Sequence, residues 1–114
     1  MSSALRAVDE KLALERAGGN ADLARELYQM LQNELPDYQG RLPTLYAEGD
    51  MRSLQEAVHK LNGSATYCGV PALKAAAETM ESNLKRGEQD RYEEGLNAVL
   101  NEIQRVLQTP TLPL

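Results

Sequence analysis

Residues 59–64 read HKLNGS and hold the single histidine of a 114-residue chain. An imidazole in water is mostly neutral near pH 7, so one ring nitrogen keeps a lone pair for use as nucleophile or base. The Asn62-Gly63 pair ordinarily signals a turn, yet the apolar residues on both sides keep a helical period. On a helix wheel at ~100° per residue with Leu61 at zero, Leu54, Ala57, Val58, Leu61, Ala65 and Cys68 form one apolar stripe. His59 falls at about 160°, among Arg52, Gln55, Glu56, Asn62, Gly63 and Thr66. The histidine is therefore expected to face water from the middle of a polar helix face.

That placement removes several chemistries. A Cys-His nucleophilic pair needs both groups within hydrogen-bond reach, but Cys68 lies on the core side and reads as a small buried hydrophobe. A zinc site needs about four His, Cys or carboxylate ligands, which one outward histidine does not supply. No glycine-rich phosphate loop with its lysine is present, so no nucleotide site is expected. Gly63 costs about 1 kcal/mol relative to alanine in mid-helix, and as the i+4 neighbour of His59 it leaves space beside the ring. An exposed histidine next to a tolerated glycine is equally compatible with a solvated face of no chemical purpose.

The elements that must carry this face are all helical. Apolar residues recur every three or four positions, no stretch alternates with period two, and Gly, Asn and Asp cluster between the segments. Helices are expected over about 4–16, 20–35, 37–48, 50–68, 71–86 and 90–108, with a frayed tail at 109–114. The first segment carries Leu5, Val8 and Leu12. Asn20 caps the second, whose buried residues are expected to be Leu23, Leu27, Met30 and Leu31. Pro36 interrupts that pattern, and Pro43 predicts a break or kink within the third. Asp50 caps the helix of the motif, Gly69 lies just past its end, Pro71 opens the next helix, and Asp90 to Glu93 read as an acidic capping box. Short connections between such helices give an all-α, up-down antiparallel four-helix bundle with a short additional N-terminal helix, as one domain.

Composition limits the partners. Acidic residues outnumber basic ones, 17 to 12, for a net charge of −5 and no tryptophan or phenylalanine. Nucleic acid and anionic membrane both call for a basic face, so neither is an expected partner. No apolar run reaches the ~18 residues of a membrane span, and MSSALRAVDEK lacks the apolar centre of a signal peptide. One cysteine cannot form an internal disulfide, and a cytoplasmic domain is expected.

The longer stretch HKLNGSATYCGVPAL resembles the signature of histidine-containing phosphotransfer (HPt) domains, His-x-Leu-Lys-Gly-Ser/Ala followed by a glycine about five residues later. His59, Leu61, Gly63, Ser64 and Gly69 match it in order and spacing. GGNADLARELYQMLQNELPDY before the motif and ALKAAAETMESNLKRGE after it extend the similarity over most of the chain, most like the C-terminal HPt domain of BarA- and GacS-type hybrid sensor kinases. The resemblance implies that His59 accepts a phosphoryl group from the phosphoaspartate of a hybrid kinase's receiver domain and passes it to the receiver of a response regulator. Lys60, Asn62, Gly63 and Ser64 would support the phosphoryl site, and Arg52, Gln55, Glu56 and Thr66 would dock the receiver. It further implies a monomeric phosphocarrier with no ATP site and no bound cofactor, Mg2+ being expected on the receiver. Asn62 departs from the pattern, since the usual residue there is lysine; Lys60 or Arg52 could supply a cation instead. The alternative is a helical module that binds receivers or other proteins without carrying phosphate.

Overall fold

Asp9 begins the ordered helices by accepting from Leu12 N through its side chain at 3.0 Å, a cap for one of the unpaired N–H groups of a first turn. Helix α1 spans Glu10–Arg16. The structure, a computed structural model, describes residues 5–114. The expected start near residue 4 lies outside the described residues, but residues 5–9 are described and not helical, so α1 begins later than expected; Leu5 is exposed whereas Val8 and Ala13 are buried. Gly18 and Gly19, both at positive φ, turn the chain into α2, Ala21–Ala47, capped by Asn20. Next come α3, Met51–Ala65, α4, Pro71–Arg86, and α5, Tyr92–Leu107, with a single 3-10 turn at Gln89–Arg91. Every regular element among the described residues is helical. Helix α2 packs on α3 and α5, α3 on α4, and α4 on α5, while α1 lies against α2.

Several expectations change. The break at Pro36 and Pro43 does not occur, and α2 runs unbroken for 27 residues. Two interior prolines oppose helix by about 3 kcal/mol each, but Ala24, Tyr28, Leu31, Leu35, Tyr38 and Leu42 are buried at alternating spacings of four and three straight through Pro36. Only a continuous helix keeps that stripe on the core. The same register turns Leu23 and Met30 outward and leaves Leu27 partly buried, against the expected burial of all three. Second, Asp90 forms no capping box: it lies inside the 3-10 turn and α5 starts at Tyr92 without a side-chain cap. Glu93 and Glu94 place negative charge at that N-terminus instead.

Third, the tail is anchored. Gln32 Nε2 donates to the carbonyls of Val106 at 2.9 Å and Thr109 at 3.0 Å, and the Tyr28 hydroxyl also donates to Thr109 O. The Val106 carbonyl also accepts from Thr109 N at 2.9 Å, so these α2 side chains tie the end of α5 and the chain after it to α2, and Leu112 is buried in the core. Helix α3 also stops earlier than expected, at Ala65, with residues 66–69 forming a turn. No described helix is long and apolar enough to cross a membrane.

Candidate functional site

Helix α3 is held by its own stripe: Leu54, Ala57, Val58, Leu61 and Ala65 are all buried, and Cys68 just beyond them is buried too. Asp50 caps its start, accepting from Ser53 N at 3.1 Å. The opposite face carries His59, whose side chain is 73% exposed. Its Nδ1 lies 2.5 Å from Oε2 of Glu81 on α4, a carboxylate whose side chain is only 8% exposed. Asn62 Nδ2 donates to the other oxygen, Oε1, at 3.1 Å, and Lys85 Nζ lies 3.1 Å from Oε2. Lys74 Nζ donates to Asn62 Oδ1 at 3.2 Å and to Glu78 Oε1 at 3.1 Å.

Burial alone would raise the Glu81 pKa, but hydrogen bonds from Asn62, His59 and Lys85, with the imidazole's charge, outweigh it and bring the group down to about 2. The carboxylate is consequently ionised at neutral pH and can only accept. The proton between it and His59 therefore sits on Nδ1, and the lone pair of the neutral ring is on Nε2, the nitrogen that does not face Glu81. The same shift sets a pH dependence. With a folded pKa below the ordinary 4.5, Glu81 contributes stability that is complete above about pH 5 and is lost as pH falls toward 2. Urea titrations between pH 5 and 2 are expected to show wild type losing about 2 kcal/mol more than Glu81→Gln, which has no group to protonate there; parallel losses would contradict the assignment.

The predicted residues separate into groups. Asn62 joins His59 through Glu81. Gln55 and Glu56 line a hollow of about 270 Å3 with His59, Glu81 and Lys85. Arg52 is paired with Glu56 at 3.5 Å and is almost wholly exposed. Lys60 lies away from the ring, lining the α2–α3 seam with Glu34 and Asp37. Ser64 points the same way, its Oγ donating to Glu34 Oε1 at 3.3 Å. Thr66 Oγ1 is tied to the carbonyl of Asn62 at 2.9 Å, so its hydroxyl proton is committed to its own helix.

Gly63 is exposed, and a Cβ built there meets nothing within 4 Å. Gly63→Leu is accordingly expected to raise stability by about 0.8 kcal/mol. Long helical side chains lean back over the preceding turn, so the new side chain would cover the His59 ring and slow reaction at Nε2 about tenfold or more. Paired thermal melts and transfer rates check this; unchanged transfer would remove the steric role given to Gly63.

Glu81, Lys85 and Lys74 were not among the predicted site residues. The signal for Glu81 was present: it stands four residues after Ala77 and three before Leu84, in an apolar stripe where an acid requires a partner. Also unforeseen is an apolar margin beside Gly63, where Met30 (59% exposed) and Tyr67 (57% exposed) flank a depression that Leu27 also lines.

The Hpt domain family model matches residues 26–109. Among curated proteins, the signal transduction histidine-protein kinase BarA of Shigella flexneri is 35% identical over 100 residues, covering 87% of this chain and 11% of BarA. The sensor histidine kinase GacS of Pseudomonas protegens is 38% identical over 82 residues, 72% of this chain and 9% of GacS. The chain thus spans about a tenth of the length of these relatives. A solved HPT domain from a Shewanella sensor hybrid histidine kinase superposes with a TM-score of 0.85 at 29% identity, covering 91% of this chain and 90% of that one.

Proposed function

Because the chain belongs to the Hpt domain family, we propose that it is a phosphorelay carrier in which His59 receives a phosphoryl group from a receiver-domain phosphoaspartate and delivers it to a second receiver. One observation carries this: His59 is tethered through Nδ1 to an ionised, nearly buried carboxylate, so that in the neutral ring the lone pair is on Nε2, on an exposed helix face. In the forward step the Nε2 lone pair forms the N–P bond while the P–O bond to the aspartate breaks, its electron pair leaving on the aspartate oxygen. The positive charge that develops on the ring is met by Glu81 through the retained Nδ1–H. Delivery to the second receiver is the reverse step. Phosphoryl transfer depends chiefly on in-line positioning and charge neutralisation, and a ring fixed on a rigid helix supplies the first.

Helices α2 to α5 make an up-down four-helix bundle in this reading, with α1 as an addition, supported by the closed ring of helix contacts. The receiver docks over Gln55, Glu56 and the apolar margin of Met30 and Tyr67, with Gly63 between them. Mg2+ arrives with the receiver, the domain has no ATP chemistry of its own, and it works as a cytoplasmic monomer, as part of a hybrid sensor kinase. Incubation with a phosphorylated receiver tests the whole: label that appears on the chain, labile to acid and stable to alkali, is expected. Receiver binding without label would establish the non-catalytic docking module instead.

A further inference from the structure

The Asn62 amide is held between two groups of opposite hydrogen-bonding capacity. The Lys74 ammonium can only donate and the ionised Glu81 carboxylate can only accept. The amide therefore has one permitted orientation, Oδ1 toward Lys74 at 3.2 Å and Nδ2 toward Glu81 Oε1 at 3.1 Å. Reversing it would set oxygen against carboxylate and NH2 against ammonium. With Oε1 occupied by Asn62, the carboxylate plane is fixed so that Oε2 meets His59 Nδ1 and Lys85. Lys74 is itself braced from the far side by Glu78, and its side chain is 31% exposed. The four side chains Lys74, Asn62, Glu81 and His59 form one chain of contacts running from the first turn of α4 to the reactive ring.

We propose that Lys74 is a positioning residue for His59, acting through the Asn62 amide and the Glu81 carboxylate. This rests on His59 being the phosphoryl acceptor. Lys74 does not touch the ring. Without its ammonium the amide is held by Glu81 alone and can rotate, so the donor on Oε1 is no longer fixed in place, and the carboxylate, left with Lys85 as its anchor, can shift Oε2 away from Nδ1. The neutral imidazole then populates both tautomers, and in one of them the proton occupies Nε2, where the phosphoryl group must be received.

The test uses the full chain as wild type, Lys74→Met, Lys74→Arg, Asn62→Ala and the double variant Lys74→Met/Asn62→Ala. Two quantities are read: the rate of label uptake from a phosphorylated receiver, and the tautomer of the neutral His59 ring by 15N NMR. Lys74→Met is expected to slow uptake about tenfold and to shift the ring from Nδ1–H toward a mixture, with thermal stability nearly unchanged. Lys74→Arg should recover most of both. In the Asn62→Ala background the same Lys74→Met change should have no further effect. The proposal is overturned if Lys74→Met leaves the tautomer as in wild type, or if its effect is equally large without Asn62, which would make Lys74 an independent cation. A wild type that takes up no label would sink the phosphotransfer reading, while the tautomer would still decide whether Lys74 orients His59.

Discussion

His59→Gln is expected to reduce phosphoryl uptake by more than about 10³-fold, to background, while the fold stays intact. The loss is so large because no other side chain near the ring can serve in its place. The Ser64 and Thr66 hydroxyls are committed to Glu34 and to the Asn62 carbonyl. The Cys68 thiol is buried, and burial, with the nearby Glu34 charge, pushes it up to about 11, so it is not a thiolate at neutral pH. Retention of the fold is a consequence of position. His59 faces solvent, glutamine is a good helix former, and its amide can still donate to Glu81, so a stability change within about 0.5 kcal/mol is expected from thermal melts. Receiver binding should survive, because the apolar margin and the α3 rim are untouched. Uptake equal to wild type would place the phosphoryl group elsewhere.

Gly69→Ala is expected to lower stability by about 3 kcal/mol, some 12 °C in Tm for a domain of this size. Gly69 has φ +68°, a region L side chains rarely adopt, and it is buried against α1. An added Cβ would lie 2.5 Å from Ala13 Cβ, 2.6 Å from the Asp9 carbonyl oxygen and 2.8 Å from Ala13 N. None of these atoms can be moved by a rotamer change. The carbonyl of Gly69 also accepts from Asp9 N at 2.8 Å, so α1 is sewn to the turn after α3 at the point of collision. Gly63→Ala, six residues earlier in ordinary helix and with open space, should instead stabilise by up to about 1 kcal/mol. A melt in which both glycines respond alike would contradict this account of Gly69.

The motif helix was the most legible part of the chain. Its apolar residues recur without interruption, so the wheel alone put His59 opposite the core, although the helix ends at Ala65, four residues before Gly69. Helix α2 was misread because leucine and methionine at 23 and 30 weigh more in an apolar pattern than alanine and tyrosine at 24 and 28, although the latter pair is buried. Taking the wrong stripe hid the register that carries the helix through Pro36. Half of the site was hidden for a different reason. A helix wheel orders one helix at a time, whereas Glu81, Lys85 and Lys74 reach His59 and Asn62 only through the packing of α4 on α3. Asn62, which looked like the loss of a cation, turned out to be the bridge between Lys74 and the carboxylate that orients the ring.

Because the chain has one histidine, its ring nitrogens can be observed singly in a histidine-15N sample loaded with phosphoryl from a phosphorylated receiver. One phosphoimidazole is predicted, with 31P coupled to Nε2 and the proton retained on Nδ1. Phosphorus on Nδ1, or no phosphoimidazole when the receiver is demonstrably phosphorylated, would contradict it.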